Sequence, residues 1–259
     1  MRQLLLSGER SAGEQVEIAG EDHHYLARVL RLGPGDTFPV LDDAARRWTG
    51  CVVDDAGDRF LIRLDEPADS DDDGEPAVGL GTVVDLPPVT LYQAIPKGRK
   101  FDEPLRQLVQ AGVTTVVPIV TERTIVRPEG GGARLDRWQR IAREAVQQSG
   151  AGQPARVLEP ESLGRVQPSA SALSLFLHPE PLAQTSLHGY LGEVPRAIEL
   201  VVGPEGGFSP PEVDYLLRAG FSSLWLGPQV LRAESAGLFA AAAIRILILE
   251  RAQWQPASP

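Results

Sequence analysis

Two glycine-containing segments near the carboxyl end of the chain have residues that suit ligand binding. The first is Gly203-Pro204-Glu205-Gly206-Gly207, and the second runs from Gly227 to Glu234. Because Gly206 and Gly207 have no side chains, their backbone N–H and C=O groups can approach a flat, polar ligand closely. The first segment lacks the lysine of a phosphate-binding P-loop and the G-x-G-x-x-G spacing of a dinucleotide loop. A tight turn is the simpler interpretation of such a segment in isolation, so these residues indicate a ligand site without naming the ligand.

The elements that must position these segments alternate between strand and helix. Ser209, Pro210 and Glu212 have the residue types of an N-cap, a first helical residue and the third position of a capping box. The predicted elements are a strand at Ile198–Val202, a helix from Ser209 to about Ala219, a strand at Leu224–Leu226 and an almost wholly apolar helix from about Glu234 to Leu249. This order predicts an α/β fold with a parallel sheet. Both glycine segments then leave the carboxyl ends of strands, where open α/β sheets bind ligands.

The residues from Val202 to Ser209 and from Leu226 to Ala236 resemble the paired signature of the RsmE family. The family form of the second motif is close to LG-x-x-[VI]-L-R-T-E-T-A, and this chain has Ala233 and Ser235 at the two threonine positions. RsmE proteins are SPOUT-class enzymes that methylate N3 of a uridine in 16S ribosomal RNA. The resemblance therefore implies an S-adenosylmethionine-dependent methyltransferase acting on 16S rRNA of the small ribosomal subunit. It also implies a C-terminal SPOUT domain with a trefoil knot and a mostly parallel sheet, and a homodimer packed through the last helix.

The resemblance assigns roles to individual residues of the two motifs. Uridine N3 carries a weakly acidic proton, so its methylation needs a base or a cation that stabilises the resulting anion. Arg232 is the principal catalytic candidate, because its cation would face the uracil carbonyls. Glu234 and Glu205 are the nearest carboxylates, although Glu234 also suits a helix N-terminus and Glu205 equally suits a turn. The residues implied to bind the cofactor are Leu177, Val202, Gly203, Pro204, Glu205, Gly206, Leu226, Gly227, Val230, Leu231 and Ala236. In-line methyl transfer needs no metal, and the histidines are too scattered to suggest one.

Residues 1–64 have the composition of a compact, mostly β domain with one helix, from Glu21 to Arg31. Its predicted strands are Val16–Ile18, Thr37–Leu41, Trp48–Val53 and Phe60–Leu64. His24, the segment Val29-Leu30-Arg31 and the following Gly35-Asp36 resemble the PUA-like β-barrel domain at the front of RsmE proteins, which is implied to hold RNA. Without that resemblance, the basic residues of this helix would most simply be a solvated face.

The charge distribution is compatible with an RNA partner even though the net charge is −10. Residues 65–85 contain eight acids and no base, whereas residues 97–156 contain eleven bases and six acids. A local basic region, rather than the total charge, is what a phosphate backbone meets. Lys97-Gly98 resembles the family's K-G segment, and Thr121-Glu122-Arg123-Thr124 resembles its S-E-R segment. The residues implied to bind RNA are His24, Arg28, Arg31, Lys97, Arg99, Lys100 and Arg123.

We predict three parts of the chain: a PUA-like domain at 1–75, a linker at 76–88 and the methyltransferase domain at 89–259. The acidic segment Asp69–Pro76 is typical of a disordered loop. Within the last domain we predict strands at Val89–Ile95, at Val113–Val117 (closed by Pro118) and at Leu173–Leu177, a helix containing Leu105, Leu108 and Val109, and a helix at Arg134–Gln148.

Cysteine usage and hydropathy indicate the compartment. The single Cys51 rules out an intrachain disulfide and fits a reducing environment. There is no amino-terminal signal, and Arg245 interrupts the longest apolar run before it reaches the ~20 residues of a membrane span. We therefore expect a soluble, cytoplasmic protein that does not enter the membrane.

Three positions depart from the usual RsmE pattern and keep two other hypotheses open. Gln110 and Gln147 stand where the family usually has glutamates, and Ala151 stands where it has an arginine. One alternative is a non-catalytic RNA-binding module that keeps the cofactor pocket. The other is a SPOUT enzyme for a different nucleoside, such as a ribose 2′-hydroxyl of transfer RNA, which the PUA-like domain and the turn at Arg232 disfavour.

Overall fold

The computed structural model describes residues 3–67, 86–95, 101–124, 131–182 and 185–253. The chain divides into two compact units, one comprising residues 1–83 with 146–154 and the other 84–145 with 155–259. The acidic segment Asp69–Pro76 and most of the predicted linker lie outside the described residues. The domain boundaries proposed from the sequence therefore stay predictions.

The N-terminal unit is built on a five-stranded sheet with the order β1-β3-β4-β5-β2. Its strands are β1 (Leu4–Leu5), β2 (Gln15–Ala19), β3 (Thr37–Leu41), β4 (Arg47–Asp55) and β5 (Arg59–Asp65). All pairs are antiparallel except β1 with β3, which is parallel. Leu26 packs on the sheet beside the buried Phe60, Ile62 and Leu64. The mostly β character is confirmed, and β1 is an additional strand too short for a recognisable pattern.

The helix predicted from Glu21 to Arg31 is interrupted. The regular part, α1, is Gly20–His24, and a π-helical turn follows at Tyr25–Val29. In this turn the Leu30 N–H donates to the Tyr25 carbonyl at 3.1 Å. Arg31 then has a φ of 59°, a left-handed conformation that ends helices. Such π-helical turns concentrate at functional sites.

The C-terminal unit is an α/β fold whose sheet has the order β12-β10-β11-β6-β7-β8, with β9 also paired to β7. Every strand pair found among the described residues is parallel, in agreement with the predicted parallel sheet. The strands are β6 (Val89–Ala94), β7 (Val113–Val120), β8 (Arg156–Val157), β9 (Glu161–Ser162), β10 (Ala172–Leu177), β11 (Ala197–Val202) and β12 (Ser222–Leu224). The helices are α2 (Asp102–Gln110), α3 (Gly131–Ser149), α4 (Leu187–Tyr190), α5 (Pro210–Ala219) and α6 (Ala233–Gln253), with a short 3-10 turn at Leu163–Arg165. Residues 146–149 of α3 belong to the N-terminal unit.

The prediction that Pro118 closes its strand was wrong, because β7 continues to Val120. The Val116 carbonyl accepts from Leu158 on the β8 side, and the Ile119 carbonyl accepts from Ile95 on the β6 side. By alternation, the nitrogen of Pro118 faces the side where β8 has ended and β9 has not begun. The missing N–H of proline is tolerated there, since no neighbouring strand needs it.

The strand predicted at Leu224–Leu226 lies two residues earlier in the structure, at Ser222–Leu224. The strand β12 ends at Leu224, because β10, its only neighbour among the described strands, ends at Leu177. The His178 N–H makes the final bond, to the Leu224 carbonyl at 3.1 Å. Trp225 and Leu226 therefore lie beyond the sheet, at its carboxyl edge.

The last helix, α6, packs on β6, β11 and α2. Ala240, Ala241, Ile244 and Ile248 are buried, whereas Phe239 and Ile246 are 58% and 50% exposed. One copy of the chain therefore covers only part of this apolar helix. Among the helices of the described residues, none has the length and apolar character that a membrane crossing requires.

Candidate active site

A pocket of about 350 Å³ lies at the carboxyl edge of the parallel sheet, beyond the ends of β10, β11 and β12. The glycine loop that follows β11, residues 203–209, forms one wall. The loop between β12 and α6, residues 225–232, forms the other. The pocket therefore occupies the place where parallel sheets bind ligands, and it brings the two sequence motifs together.

All eleven residues predicted to bind the cofactor line this single pocket. That each of them contacts the cofactor stays a prediction. Gly207, singled out from the sequence for its bare backbone, also lines the pocket. Sequence reasoning missed several other residues of the wall: His178, Pro179, Phe208, Leu224, Trp225, Gln229 and Ala233. A signal for two of them existed, because His178 and Pro179 follow directly on the predicted strand at Leu173–Leu177.

The glycine loop adopts a conformation that requires its glycines. A Cβ on Gly203 would lie 3.3 Å from the Phe208 ring, tighter than most real contacts. Gly207 has a φ of 68°, which L-residues with a side chain rarely adopt. Its N–H donates to the Pro204 carbonyl at 2.8 Å, closing a tight turn. Glu205 and Gly206 are thereby exposed at the tip of the turn and on the pocket wall.

The beginning of α5 holds the far end of the glycine loop. Ser209 is the N-cap and Pro210 the first helical residue, as predicted. The Glu212 carboxylate accepts from the Ser209 N–H at 2.8 Å, and its other oxygen accepts from the Glu122 N–H at 2.7 Å. One carboxylate therefore links the capping box of α5 to the loop after β7.

The second loop is held by the end of β10. The Trp225 indole N–H donates to the Pro179 carbonyl at 3.1 Å. Gly227 has a φ of 118°, a backbone conformation that excludes most side chains. The Arg232 carbonyl then accepts from the N–H groups of Ser235 and Ala236, both at 2.9 Å, and so starts α6.

The three predicted catalytic residues occupy different places. Arg232 and Glu205 line the pocket, whereas Glu234 is outside its lining. The Arg232 side chain is 79% exposed, and its guanidinium lies 3.9 Å from the Glu234 carboxylate. Glu234 lies in the first turn of α6, as predicted. The Arg232 cation is therefore exposed to solvent at the mouth of the pocket, in a long ion pair with Glu234.

The predicted RNA-binding residues also lie in different parts of the chain. His24, Arg28 and Arg31 are exposed on the N-terminal unit. Arg123 lies in the C-terminal unit and donates from Nη1 to the Gly206 carbonyl at 2.6 Å. Lys97, Arg99 and Lys100 lie outside the described residues.

The three departures from the RsmE pattern do not line the pocket. Gln110 is exposed at the end of α2. Gln147 donates to Asp22 at 3.3 Å, and the Ala151 carbonyl accepts from Gln3 at 2.8 Å. Among the described residues, no group of three or more His, Cys, Asp and Glu is arranged to hold a metal ion.

Comparison with known sequences identifies the family. Residues 84–245 match the model of the RNA methyltransferase domain, and residues 18–65 match that of the RNA methyltransferase PUA domain. Ribosomal RNA small subunit methyltransferase E of Synechocystis is 34% identical over 251 residues, covering 95% of this chain and 77% of the relative. The chain belongs to the RsmE family of RNA methyltransferases. The resemblance stated from the two motifs is thereby confirmed.

Further relatives of this RsmE chain agree. The methyltransferase E of Mycobacterium bovis is 30% identical over 250 residues, covering 91% of this chain and 87% of the relative. A crystal structure of ribosomal RNA small subunit methyltransferase E from Neisseria gonorrhoeae, bound to S-adenosyl methionine, has a TM-score of 0.76 and 28% identity. That alignment covers 95% of this chain and 98% of the other.

Proposed function

We propose that this chain transfers a methyl group from S-adenosylmethionine to N3 of a uridine in 16S ribosomal RNA of the small subunit. The observation that carries the proposal is the convergence of both RsmE motifs on one pocket, with Arg232 at its mouth. The named relatives support the enzyme class, and the Neisseria structure supports the cofactor. The uridine N3 position is proposed from the family resemblance.

The residues of the pocket fit S-adenosylmethionine. The volume of the pocket, about 350 Å³, lies in the range of small-molecule sites, roughly 300–1,000 Å³. Leu177, Leu226 and Leu231 supply apolar wall for a flat base. The bare backbone groups of the two glycine loops supply hydrogen-bonding partners for polar parts of the cofactor. When bound, the cofactor supplies an electrophilic methyl group on a sulfonium.

The protein's own part in the reaction is placement and charge. Good alignment of reacting groups is worth roughly 7–11 kcal/mol, and two loops held at the ends of three strands supply a rigid frame for it. Loss of the N3 proton leaves negative charge on the uracil carbonyls, which the Arg232 guanidinium stabilises. The Glu234 carboxylate lies 3.9 Å from that guanidinium and forms an ion pair with it. Glu205 is the pocket carboxylate available to accept the proton.

The test incubates the purified chain with labelled S-adenosylmethionine and small ribosomal subunits that lack the modification, followed by digestion and identification of the nucleosides. We expect label in 3-methyluridine. Arg232→Ala should lower kcat by roughly 100-fold, the lower end of the effect of losing a transition-state charge partner, because the side chain is exposed. Arg232→Lys keeps the charge and should retain part of the activity.

The other outcomes separate the alternatives. Label in another nucleoside of the subunit would keep the fold and overturn the substrate, as would label in a 2′-O-methylated nucleoside when transfer RNA is supplied in place of the subunits. Cofactor binding without any label would favour the non-catalytic RNA-binding module. Full activity of Arg232→Ala would remove Arg232 from the mechanism.

We further propose that the C-terminal unit is a trefoil knot, that the N-terminal sheet closes as a β-barrel and that two cytoplasmic copies pair through α6. The exposure of Phe239 and Ile246 supports the pairing, because these residues, seven apart, lie on one face of the helix. Analytical ultracentrifugation should show a dimer that Phe239→Glu with Ile246→Glu converts to a monomer. Leu217→Glu, on the exposed face of α5, is the control and should leave association unchanged.

A further inference from the structure

We propose that Arg123 is a positioning residue that fixes the Gly206–Gly207 peptide in the wall of the cofactor pocket. The inference rests on the proposed binding of S-adenosylmethionine and gives Arg123 a role that the RNA-binding prediction did not include. The contact joins residues 83 positions apart, from the loop after β7 to the loop after β11.

Arg123 both packs against the glycine loop and donates a hydrogen bond to it. Its Nη1 donates to the Gly206 carbonyl at 2.6 Å. A Cβ added to Gly206 would lie 3.4 Å from Cδ and 3.7 Å from Cβ of Arg123. The arginine stem therefore lies along the face of Gly206 that has no side chain, and its charged end reaches the carbonyl.

The Gly206–Gly207 peptide is consequently hydrogen-bonded at both ends. Its carbonyl accepts from Arg123, and its N–H, that of Gly207, donates to the Pro204 carbonyl at 2.8 Å. A peptide between two glycines has little steric resistance to rotation, because neither residue has a Cβ. The turn through Pro204 fixes only the N–H end, so Arg123 is the partner that fixes the carbonyl end.

Arg123 can act as an anchor because its own loop is held. The Thr121 N–H donates to the Thr124 hydroxyl at 2.9 Å, and the two threonine hydroxyls lie 2.8 Å apart. The adjacent Glu122 N–H donates to Glu212 at 2.7 Å. The loop is therefore tied to itself and to the start of α5 on either side of Arg123.

Loss of Arg123 should release the peptide and change the pocket wall, since Pro204, Glu205 and Gly206 all line it. A hydrogen bond from a charged donor is stronger than one between neutral groups, but Arg123 is exposed, which limits its contribution. We therefore expect a rise of about tenfold in the dissociation constant of S-adenosylmethionine, which corresponds to about 1.4 kcal/mol.

The test compares the wild type with Arg123→Met, which keeps the apolar stem, and Arg123→Lys, which keeps a charged donor. Calorimetry measures cofactor affinity without RNA, and NMR measures hydrogen exchange of the Gly207 amide without cofactor. We expect weaker binding and faster exchange in Arg123→Met, with partial rescue in Arg123→Lys. Arg218→Met is the matched control, because this exposed arginine pairs with Asp214 on α5 and does not line the pocket.

Each other result has a definite meaning. Wild-type affinity and exchange in Arg123→Met would overturn the inference, and a rise in the KM for RNA alone would leave Arg123 with the predicted RNA contact. A wild-type protein that does not bind S-adenosylmethionine would overturn the proposed function instead. In that case the exchange of Gly207 would still test whether Arg123 fixes the peptide.

Discussion

Asp42→Asn should destabilise the N-terminal unit through the loss of charge at a buried carboxylate. Asp42 is fully buried in the turn between β3 and β4. One carboxylate oxygen accepts from the N–H groups of Ala44 and Arg46, at 2.9 and 2.8 Å. The other accepts from the Arg10 N–H at 3.2 Å and from the Trp48 indole at 3.1 Å. The carboxylate therefore holds the turn, a distant loop and a core side chain together.

The expected loss of stability follows from the four N–H groups that donate to Asp42. An asparagine can keep its oxygen toward one pair of N–H groups, but its NH₂ group then faces the other pair. Two bonds to a charged acceptor are lost, and each is worth roughly 1.5–3 kcal/mol. With some relaxation we expect a loss of about 3 kcal/mol, a large part of the roughly 5–15 kcal/mol that stabilises a typical domain.

Urea unfolding followed by tryptophan fluorescence measures this loss, because the Trp48 indole is itself bonded to Asp42. The control is Asp43→Asn. The neighbouring carboxylate is exposed and accepts from the Gly8 N–H at 2.6 Å, so its neutralisation should cost no more than about 1 kcal/mol. A loss at Asp42 no larger than at Asp43 would refute the reasoning.

The pH dependence gives a second check. Burial alone would raise the pKa of Asp42, but hydrogen bonds from Arg46, Trp48, Arg10 and Ala44 lower it below its ordinary value. A carboxyl with a lowered folded-state pKa contributes stability above its unfolded pKa, and this contribution is lost as the pH falls through the folded pKa. The difference between wild type and Asp42→Asn should therefore be constant near neutral pH and shrink below about pH 4. A difference that stays constant in acid would contradict the assignment.

Three further predictions concern single positions. Gly227→Ala should weaken cofactor binding and cost about 1–2 kcal/mol of stability, since φ is 118° there; an unchanged calorimetric affinity would argue against a strained pocket loop. Ala45→Asn should stabilise the N-terminal unit by up to about 1 kcal/mol in thermal unfolding, because Ala45 has a φ of 60° that asparagine tolerates better. Burial, with smaller contributions from Glu199 and Glu161, raises the pKa of Tyr92 to about 12. Ultraviolet titration should therefore show a late-ionising component that Tyr92→Phe removes, and the stability from Tyr92 should be lost as the pH rises from about 10 to its folded pKa.

The elements nearest the site were predictable because their signals are local. Ser209, Pro210 and Glu212 specify the start of α5 within four residues, and the apolar run at Ile198–Val202 specifies β11. The family signature then connected two segments that no local rule connects. The ends of elements were less predictable. Whether a strand continues through Pro118 or ends before Leu226 depends on where the neighbouring strands begin and end.

Contacts across the sequence were beyond local rules. Nothing in Thr121–Thr124 indicates that Arg123 reaches a carbonyl 83 residues later, or that Glu122 meets the helix cap at Glu212. The sequence showed that Gln110, Gln147 and Ala151 depart from the family pattern, but only the structure shows that they do not line the pocket. Residue type alone does not give position on the sheet, so the effect of such departures depends on the fold.

The strand order explains why the two motif loops were predicted to bind the ligand and why His178 and Pro179 were missed. The two motif strands, β11 and β12, are not neighbours, because β10 lies between them. Strands are spaced about 4.8 Å apart, so a ligand that contacts both motif loops must cross nearly 10 Å and pass over the end of β10. Leu177, His178 and Pro179 occupy that end and line the pocket. A ligand held by both motifs must therefore also contact this third segment, which has no glycine signature of its own.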